Sequence, residues 1–410
     1  MPRARRQPRL IAVLRSERRT IRQGVAALVL STAAGFVAGL ILSHITGSLE
    51  RLPGLLVLIP AAVGMRGTIF GALEARLGTS IHTGLFHATL RRDGVLRDNV
   101  TVAIVTTLTS SLWLAMLAKL TSTLFGEPSI SLIQLIVISV LGGALGSVVI
   151  LAFTVGLSVV SFRRGWDLDS VGTPMVTALG DAATLPTLFL ASLVVENDLV
   201  TTAAAVVCIC VAAWSVVTAV RSDRPDVRRI VLQMTGVIVL TPLLDIAAGG
   251  LLGRFQSELV RNAGILILIP PFVSQSGALG GILASRLSSK IQVGLVRPSL
   301  WPDPLAWADA AIVSALAGVT FLVVGSGATV LADLTTRTHP GAWEMIGGTL
   351  LAGLLVLPVL LTLSYAVAVA TARLGLDPDD QSVPVITSCM DLVGVVAVLG
   401  VMSLIGVLPG

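Results

Sequence analysis

Pro60-Ala-Ala-Val-Gly-Met-Arg-Gly67 decides the fold of this chain, because its pattern returns 210 residues later as Pro270-Pro-Phe-Val-Ser-Gln-Ser-Gly277. Each copy continues into a stretch that ends in Arg-Leu, at residues 76–77 and 286–287. Solenoid modules repeat every 20–50 residues or so, which is far shorter than this offset. The sequence therefore predicts two copies of one large structural unit.

A second motif repeats with the same offset and combines two acidic residues, a proline, a threonine and a further aspartate. Its members are Asp167, Asp169, Pro174, Thr177 and Asp181 in the first copy, and Asp377, Asp379, Pro384, Thr387 and Asp391 in the second. In each copy, the first proline of the proline-glycine motif and the last aspartate of the second motif are 121 residues apart. The repeat therefore places one aspartate per unit inside an apolar segment.

The composition excludes a soluble enzyme. Apolar residues make up 54% of the chain and charged residues 12%, whereas soluble domains carry about 25% charged residues. Long apolar stretches indicate membrane-crossing helices, because a helix satisfies all its own backbone groups in lipid. Eleven spans are predicted, at residues 21–46, 52–77, 99–125, 131–161, 171–195, 199–220, 228–252, 262–287, 307–333, 345–372 and 383–407.

The number of spans determines how the two units relate. Five spans precede residue 196 and five begin near 228, and the extra span between them returns the second unit to the orientation of the first. We therefore expect an all-α polytopic membrane protein with two parallel five-helix repeats and a pseudo-two-fold axis along the membrane normal. The predicted parts are a basic cytoplasmic tail (1–20), a first unit (21–198), a linking helix with a cytoplasmic joint (199–227) and a second unit (228–410).

The positive charges predict the orientation. All but six of the 28 Lys and Arg residues fall in segments on one side of the predicted membrane; the six are Arg51, Arg66, Lys119, Arg254, Arg261 and Arg337. Cytoplasmic loops carry the excess of Lys and Arg, so the N-terminus is expected inside and the C-terminus outside a plasma membrane. The net charge of +5 follows this topology and does not indicate a nucleic-acid partner.

Asp181 and Asp391 are the candidate ligands of a metal ion. Each lies about ten residues into its predicted span, which at 1.5 Å per residue is roughly 15 Å deep and near the bilayer midplane. A carboxylate there costs at least about 2.5–3.5 kcal/mol, so it usually faces a cavity, a partner or an ion. Thr177 and Thr387 lie one turn earlier on the same helix face. The alternative is a pair of structural aspartates that hold helices together by hydrogen bonds.

The two prolines extend these helix faces. Pro174 and Pro384 lie two turns before the aspartates, and each frees a backbone carbonyl near residue 170 or 380. Carboxylate, hydroxyl and carbonyl oxygens are hard ligands that suit Mg²⁺, Ca²⁺ or Mn²⁺. The three cysteines are too few and too dispersed for a thiolate metal site.

The proline-glycine motif adds residues that could line a pathway. Gly64, Gly67 and Gly277 create small-residue faces, which serve either close helix packing or the approach of a backbone to an ion. The two copies of the motif differ at two positions. Arg66 of the first copy corresponds to Ser276 of the second, and Thr68 corresponds to Ala278. We hypothesise that Arg66 reaches Asp181, neutralises part of the site and leaves Asp391 as the freer ligand; the alternative is that Arg66 binds an anion.

Acidic residues also gather at the inner mouth of the predicted pathway. They are Asp167, Asp169, Asp377 and Asp379. They either concentrate cations there or complement the dipoles of the helices that they begin, and the sequence leaves both explanations open.

At these motifs the chain resembles the MgtE and solute carrier family 41 group of divalent-cation transporters. The resemblance implies that the second and fifth helices of each unit form a pore, in which Asp181 and Asp391 hold a largely hydrated Mg²⁺ between the halves. A tandem chain of this kind is more similar to solute carrier family 41 than to MgtE, which pairs single units. The family usually has Asn where this chain has Thr68 and Ala278, so that position does not imply selectivity for Mg²⁺.

The resemblance implies a transporter, with the lipid bilayer and a divalent cation as partners, no cofactor and no enzymatic activity. Two alternatives remain. One is a non-transporting membrane partner. The other is an intramembrane aspartyl protease, to which Gly180-Asp181 has a similar element, although Met390 precedes the second aspartate where that element needs Gly.

Overall fold

The protein is a bundle of long α-helices. The computed structural model describes residues 18–82, 84–87, 89, 94–164, 168–222, 224–292, 294–299, 301–374 and 378–409, and this part contains no strand. The long helices are α1 (Arg18–His44), α2 (Leu55–His82), α3 (Val95–Phe125), α4 (Leu132–Arg164), α5 (Leu168–Ser192), α6 (Asp198–Val220), α7 (Pro225–Arg254), α8 (Ala263–Gln292), α9 (Pro304–Leu334), α10 (Ala342–Leu374) and α11 (Pro378–Leu404).

Each predicted span overlaps one of these helices. Within the described residues, ten helices are long and apolar enough to cross a membrane, and α1 contributes a shorter apolar stretch, Leu28–His44. The predicted all-α polytopic architecture is confirmed. The extra helix, α6, presents mostly exposed apolar side chains such as Leu199 and Trp214, as expected for a surface that faces lipid.

The first helix of each unit packs against the other unit. Helix α1 lies against α8 of the second unit as well as against its own α5, and α7 lies against α2 of the first unit as well as against its own α11. The two sets of contacts are the same with the units exchanged. This reciprocity is what a pseudo-two-fold relation between the repeats produces.

Equivalent glycines make the exchanged contacts possible. A Cβ at Gly39 of α1 would lie 2.4 Å from the carbonyl oxygen of Ile267, and a Cβ at Gly249 of α7 would lie 2.1 Å from that of Val57. The two contacts are equivalent in the repeat, because Gly249 lies 210 residues after Gly39 and Ile267 lies 210 residues after Val57. Small residues let membrane helices approach closely, so these glycines hold α1 and α7 across the boundary between the units.

A buried ion cluster fixes α8 against α9. Asp309 is 1% exposed and accepts hydrogen bonds from Arg286 Nη2 at 2.7 Å and Lys290 Nζ at 2.7 Å. In the first unit the equivalent contact is made by an amide, because Arg76 Nε donates to Asn99 Oδ1 at 2.8 Å. The duplicated contact therefore keeps its position while it changes from an ion pair to a hydrogen bond with a neutral partner.

We predict that Gly249→Ala destabilises the protein by about 1–3 kcal/mol, because the added methyl overlaps the backbone of Val57 in α2. The matched control is Gly236→Ala in the same helix, where a Cβ meets no atom within 4 Å. That control is expected to be neutral or stabilising by up to about 1 kcal/mol through helix propensity. Thermal unfolding in detergent measures both, and equal melting temperatures for the two variants would contradict the exchanged packing.

Candidate functional site

Asp181 and Asp391 lie at equivalent places in the middle of α5 and α11. Each is the 13th residue after the start of its helix. Asp181 is 7% exposed, and Asp391 is partly buried. Both side chains turn toward helices of the other unit, as the next contacts show.

A serine of the second unit satisfies Asp181. The Ser274 hydroxyl in α8 donates to Asp181 Oδ2 at 2.9 Å, and Ser31 of α1 lies 2.9 Å from the same hydroxyl. Helices α1, α5 and α8 therefore meet in one chain of hydrogen bonds. This carboxylate therefore has a hydrogen-bond donor from the second unit.

At the equivalent position of the first unit, the serine is replaced by Gly64. A Cβ at Gly64 would lie 2.8 Å from Asp245 Oδ2 and 3.4 Å from Asp391 Oδ2. Two carboxylates from α7 and α11 therefore converge on the space that the missing side chain leaves. Asp245 and Asp181 both act electrostatically on Asp391, so all three acids share one region between the units.

Asp245 is the residue that sequence reasoning missed. Its side chain is fully buried, and neither carboxylate oxygen has a hydrogen-bond partner among the described residues, although Ser388 of α11 lies close by. Its counterpart in the first unit is Gly35, which packs on Pro271, so a comparison of the repeats passes over it. An acidic residue within the predicted span 228–252 was the signal that could have identified it.

The hypothesis that Arg66 reaches Asp181 is wrong. Arg66 Nη1 donates to the carbonyl of Ala62 at 2.9 Å, one turn back in its own helix. The Nε atom lies 3.1 Å from where a Cβ at Gly146 of α4 would stand, and Nη2 lies 3.5 Å from the corresponding point at Gly143. The guanidinium therefore occupies a gap that these two glycines provide, and no described residue forms an ion pair with it.

The glycine of the second unit lies against a predicted ligand. A Cβ at Gly277 would be 3.2 Å from Thr387 Cγ2, so α8 and α11 approach closely beside this threonine. The Thr387 hydroxyl donates to the carbonyl of Pro384 at 3.0 Å, and the Ser276 hydroxyl donates to that of Phe272 at 2.9 Å.

The remaining predicted residues are less fully defined. Thr68 is 5% exposed and Gly67 is half-buried, both on α2. Asp167 and Asp377 lie outside the described residues. Four predicted residues lie on α5 or α11 at positions whose side chains are not described, namely Asp169, Pro174, Thr177 and Asp379. The acidic inner mouth and the threonine of the first unit stay predictions.

The described residues contain no group of three His, Cys, Asp or Glu side chains that could hold a metal ion directly. Paired carboxylates instead suit an ion that keeps part of its water shell. Mg²⁺ is bound in this way, because it dehydrates reluctantly and is usually held through one or two carboxylates.

Comparison with known proteins shows to which family the chain belongs. The model of the MgtE family, described as divalent cation transporters, matches residues 59–191 and again 269–401. This chain belongs to the MgtE family. Both matches contain the proline-glycine and aspartate motifs, so the family pattern is present twice. The members of this family are transporters rather than enzymes.

Curated relatives match most of the chain. Solute carrier family 41 member 3 of Rattus norvegicus is 24% identical over 389 residues, which are 90% of this chain and 83% of the relative. The Mus musculus member 3 is 24% identical and covers 87% of this chain and 77% of the relative. Member 2 of Xenopus laevis is 24% identical over 84% of this chain and 64% of the relative. No solved structure matches the chain.

We predict that Ser274→Ala destabilises the ion-free protein by about 1–3 kcal/mol, because it leaves the buried carboxylate of Asp181 without its hydrogen bond. Ser276→Ala, two residues along the same helix, is the control, since its hydroxyl bonds only to a carbonyl one turn back in α8. Thermal unfolding in detergent with chelator compares them. A loss in Ser276→Ala as large as that in Ser274→Ala would contradict the assigned contact.

Proposed function

We propose that this protein transports a divalent cation, with Mg²⁺ as the expected ion, across the plasma membrane along a pathway between its two repeats. The observation that carries the proposal is the convergence of acids from both units on the contact between them. Asp181 bonds to Ser274 of the second unit, and Asp391 lies beside Gly64 of the first. Membership of a family of divalent cation transporters supports the same function.

The energetics favour a cation at this place. A carboxylate in the middle of the membrane costs at least about 2.5–3.5 kcal/mol, and a bound cation offsets that cost. The membrane potential contributes about 2.3 kcal/mol per charge per 100 mV, which is about 4.6 kcal/mol for a divalent ion. Inward movement of the ion therefore needs no second coupled ion.

In this proposal each group has a role. Asp181 and Asp391 bind the hydrated ion from opposite units, and the hydroxyls of Thr177 and Thr387 contact its water shell. The glycines at positions 64, 67 and 277 leave room for that shell. Pro174 and Pro384 free carbonyls in the first turns of α5 and α11, and the acidic residues at 167, 169, 377 and 379 attract cations to the inner mouth.

The proposal also includes the topology that the sequence predicts. The tail 1–20, the units 21–198 and 228–410 and the joint 199–227 would place the N-terminus inside and the C-terminus outside. The two units then act as a pseudo-dimer within one chain, with the pathway on the axis between them. The ion is cargo, and no cofactor is part of the proposal.

The two alternatives have less support. A protease would need two aspartates in the sequence context of that chemistry, and Met390 precedes Asp391 as a fully buried core side chain. A partner without transport activity would not need three acids between its units. Neither alternative accounts for the family match over both repeats.

We predict that the purified protein in liposomes takes up Mg²⁺ and that the double variant Asp181→Asn with Asp391→Asn reduces uptake at least about tenfold. A tenfold loss corresponds to about 1.4 kcal/mol, less than the cost of one unpaired membrane carboxylate. Uptake of Mg²⁺, Mn²⁺, Co²⁺ and Ca²⁺ is followed with an enclosed dye. Asp333→Asn is the control, because this carboxylate is 65% exposed and contacts only His339 among the described residues.

Two outcomes would contradict the proposal. If the wild-type protein moves none of the four ions, it is not a divalent-cation transporter. If the double variant moves them as fast as the wild type, the pathway does not use these aspartates.

A further inference from the structure

We propose that Asp245 is a cation-binding residue, which holds the transported ion together with Asp391 in the space beside Gly64 and makes the site asymmetric between the repeats. This inference rests on the proposed function and adds a ligand from α7, the first helix of the second unit. The residue falls outside both segments of the family match, 59–191 and 269–401.

The first argument is that Asp245 is buried without a partner. Its side chain is 0% exposed, and neither oxygen has a hydrogen bond within 3.5 Å among the described residues, although the Ser388 hydroxyl of α11 lies close by. An unpaired polar group in such surroundings costs about 1–3 kcal/mol, and a charged one costs more. A carboxylate at this position therefore points to a cation as its ligand.

The second argument is the geometry around Gly64. The Oδ2 atoms of Asp245 and Asp391 both lie within 3.4 Å of the point where a Cβ would stand. Two like charges so close repel each other in apolar surroundings, and a divalent cation between them removes that repulsion. Mg²⁺ is usually bound through one or two carboxylates while it retains several waters, which matches this pair.

The third argument is that, among the described residues, no basic side chain forms an ion pair with either acid. The ion pairs of the described residues include neither Asp245 nor Asp391. Arg66, the nearest candidate by sequence, directs its guanidinium at the glycines of α4. The negative charge at this point is therefore left for a mobile cation.

The asymmetry follows from two substitutions between the repeats. Gly35 stands where the second unit has Asp245, and it packs on Pro271 without room for a side chain. Ser274 stands where the first unit has Gly64, and it already hydrogen-bonds Asp181. The Asp245 and Asp391 pair therefore binds the ion most closely, while Asp181 acts from the other side through its charge.

The test uses the full-length protein and the isosteric variant Asp245→Asn, with two independent measurements. The first is Mg²⁺ uptake into liposomes, which we expect to fall at least about tenfold, as in Asp391→Asn. The second is the rise in melting temperature that Mg²⁺ produces in detergent, which reports binding without transport and should disappear. In chelator alone, Asp245→Asn should melt no lower than the wild type, because it removes an unpaired buried charge.

A second variant keeps all three acids. Gly64→Ala places a methyl 2.8 Å from Asp245 Oδ2, so we expect weaker Mg²⁺ stabilisation and slower uptake than in the wild type. Asp333→Asn, on the exposed surface, controls for the loss of one negative charge and should behave as the wild type does.

The outcomes separate this inference from the proposed function. If Asp245→Asn keeps wild-type uptake and the Mg²⁺-dependent melting shift while Asp391→Asn loses both, Asp245 is not a ligand and the proposed function stands. If Asp245→Asn melts lower in chelator and keeps the shift, its role is structural and the inference is overturned. If the wild type shows an Asp245-dependent shift but no flux, the binding site stands and transport does not.

Discussion

The structure depends on the cost of placing carboxylates inside a bundle of apolar helices. Such groups need a partner, and Asp181 obtains one from the opposite repeat, a serine hydroxyl of α8. Asp391 and Asp245 both lie beside Gly64, and the ion pairs of the described residues include neither of them. In the proposed function, a divalent cation between the units balances the charge of these acids.

The packing of the helices creates this arrangement. Because α1 and α7 each cross to the other unit, every acid of the site lies where three helices from both units meet. The glycines at 39 and 249 bring these crossing helices to backbone contact. A change in the relative position of the two units would alter the distances between the acids, so packing and ion binding are coupled physically.

Much of this organisation could be predicted from the sequence. The 210-residue repeat is visible when the chain is compared with itself, and the apolar spans follow from local composition. The position of Asp181 and Asp391 in the middle of their helices followed from counting residues along an apolar segment. Contacts between units could not be read in the same way. The repeat pattern concealed Asp245, because its counterpart in the first unit is Gly35. The sequence position of Arg66 did not show where its long side chain points, which is toward Gly143 and Gly146. Those outcomes depend on which helices touch.

The most direct measurement of the central claim is the position of a bound ion. A structure determined in Mn²⁺, with anomalous scattering to mark the metal, would locate it relative to the three acids. The account predicts a peak between the carboxylates of Asp245 and Asp391, beside Gly64 and on the side of α2 that faces α7. A peak held by Asp181 and Ser274 instead, or no peak between the two units, would contradict it.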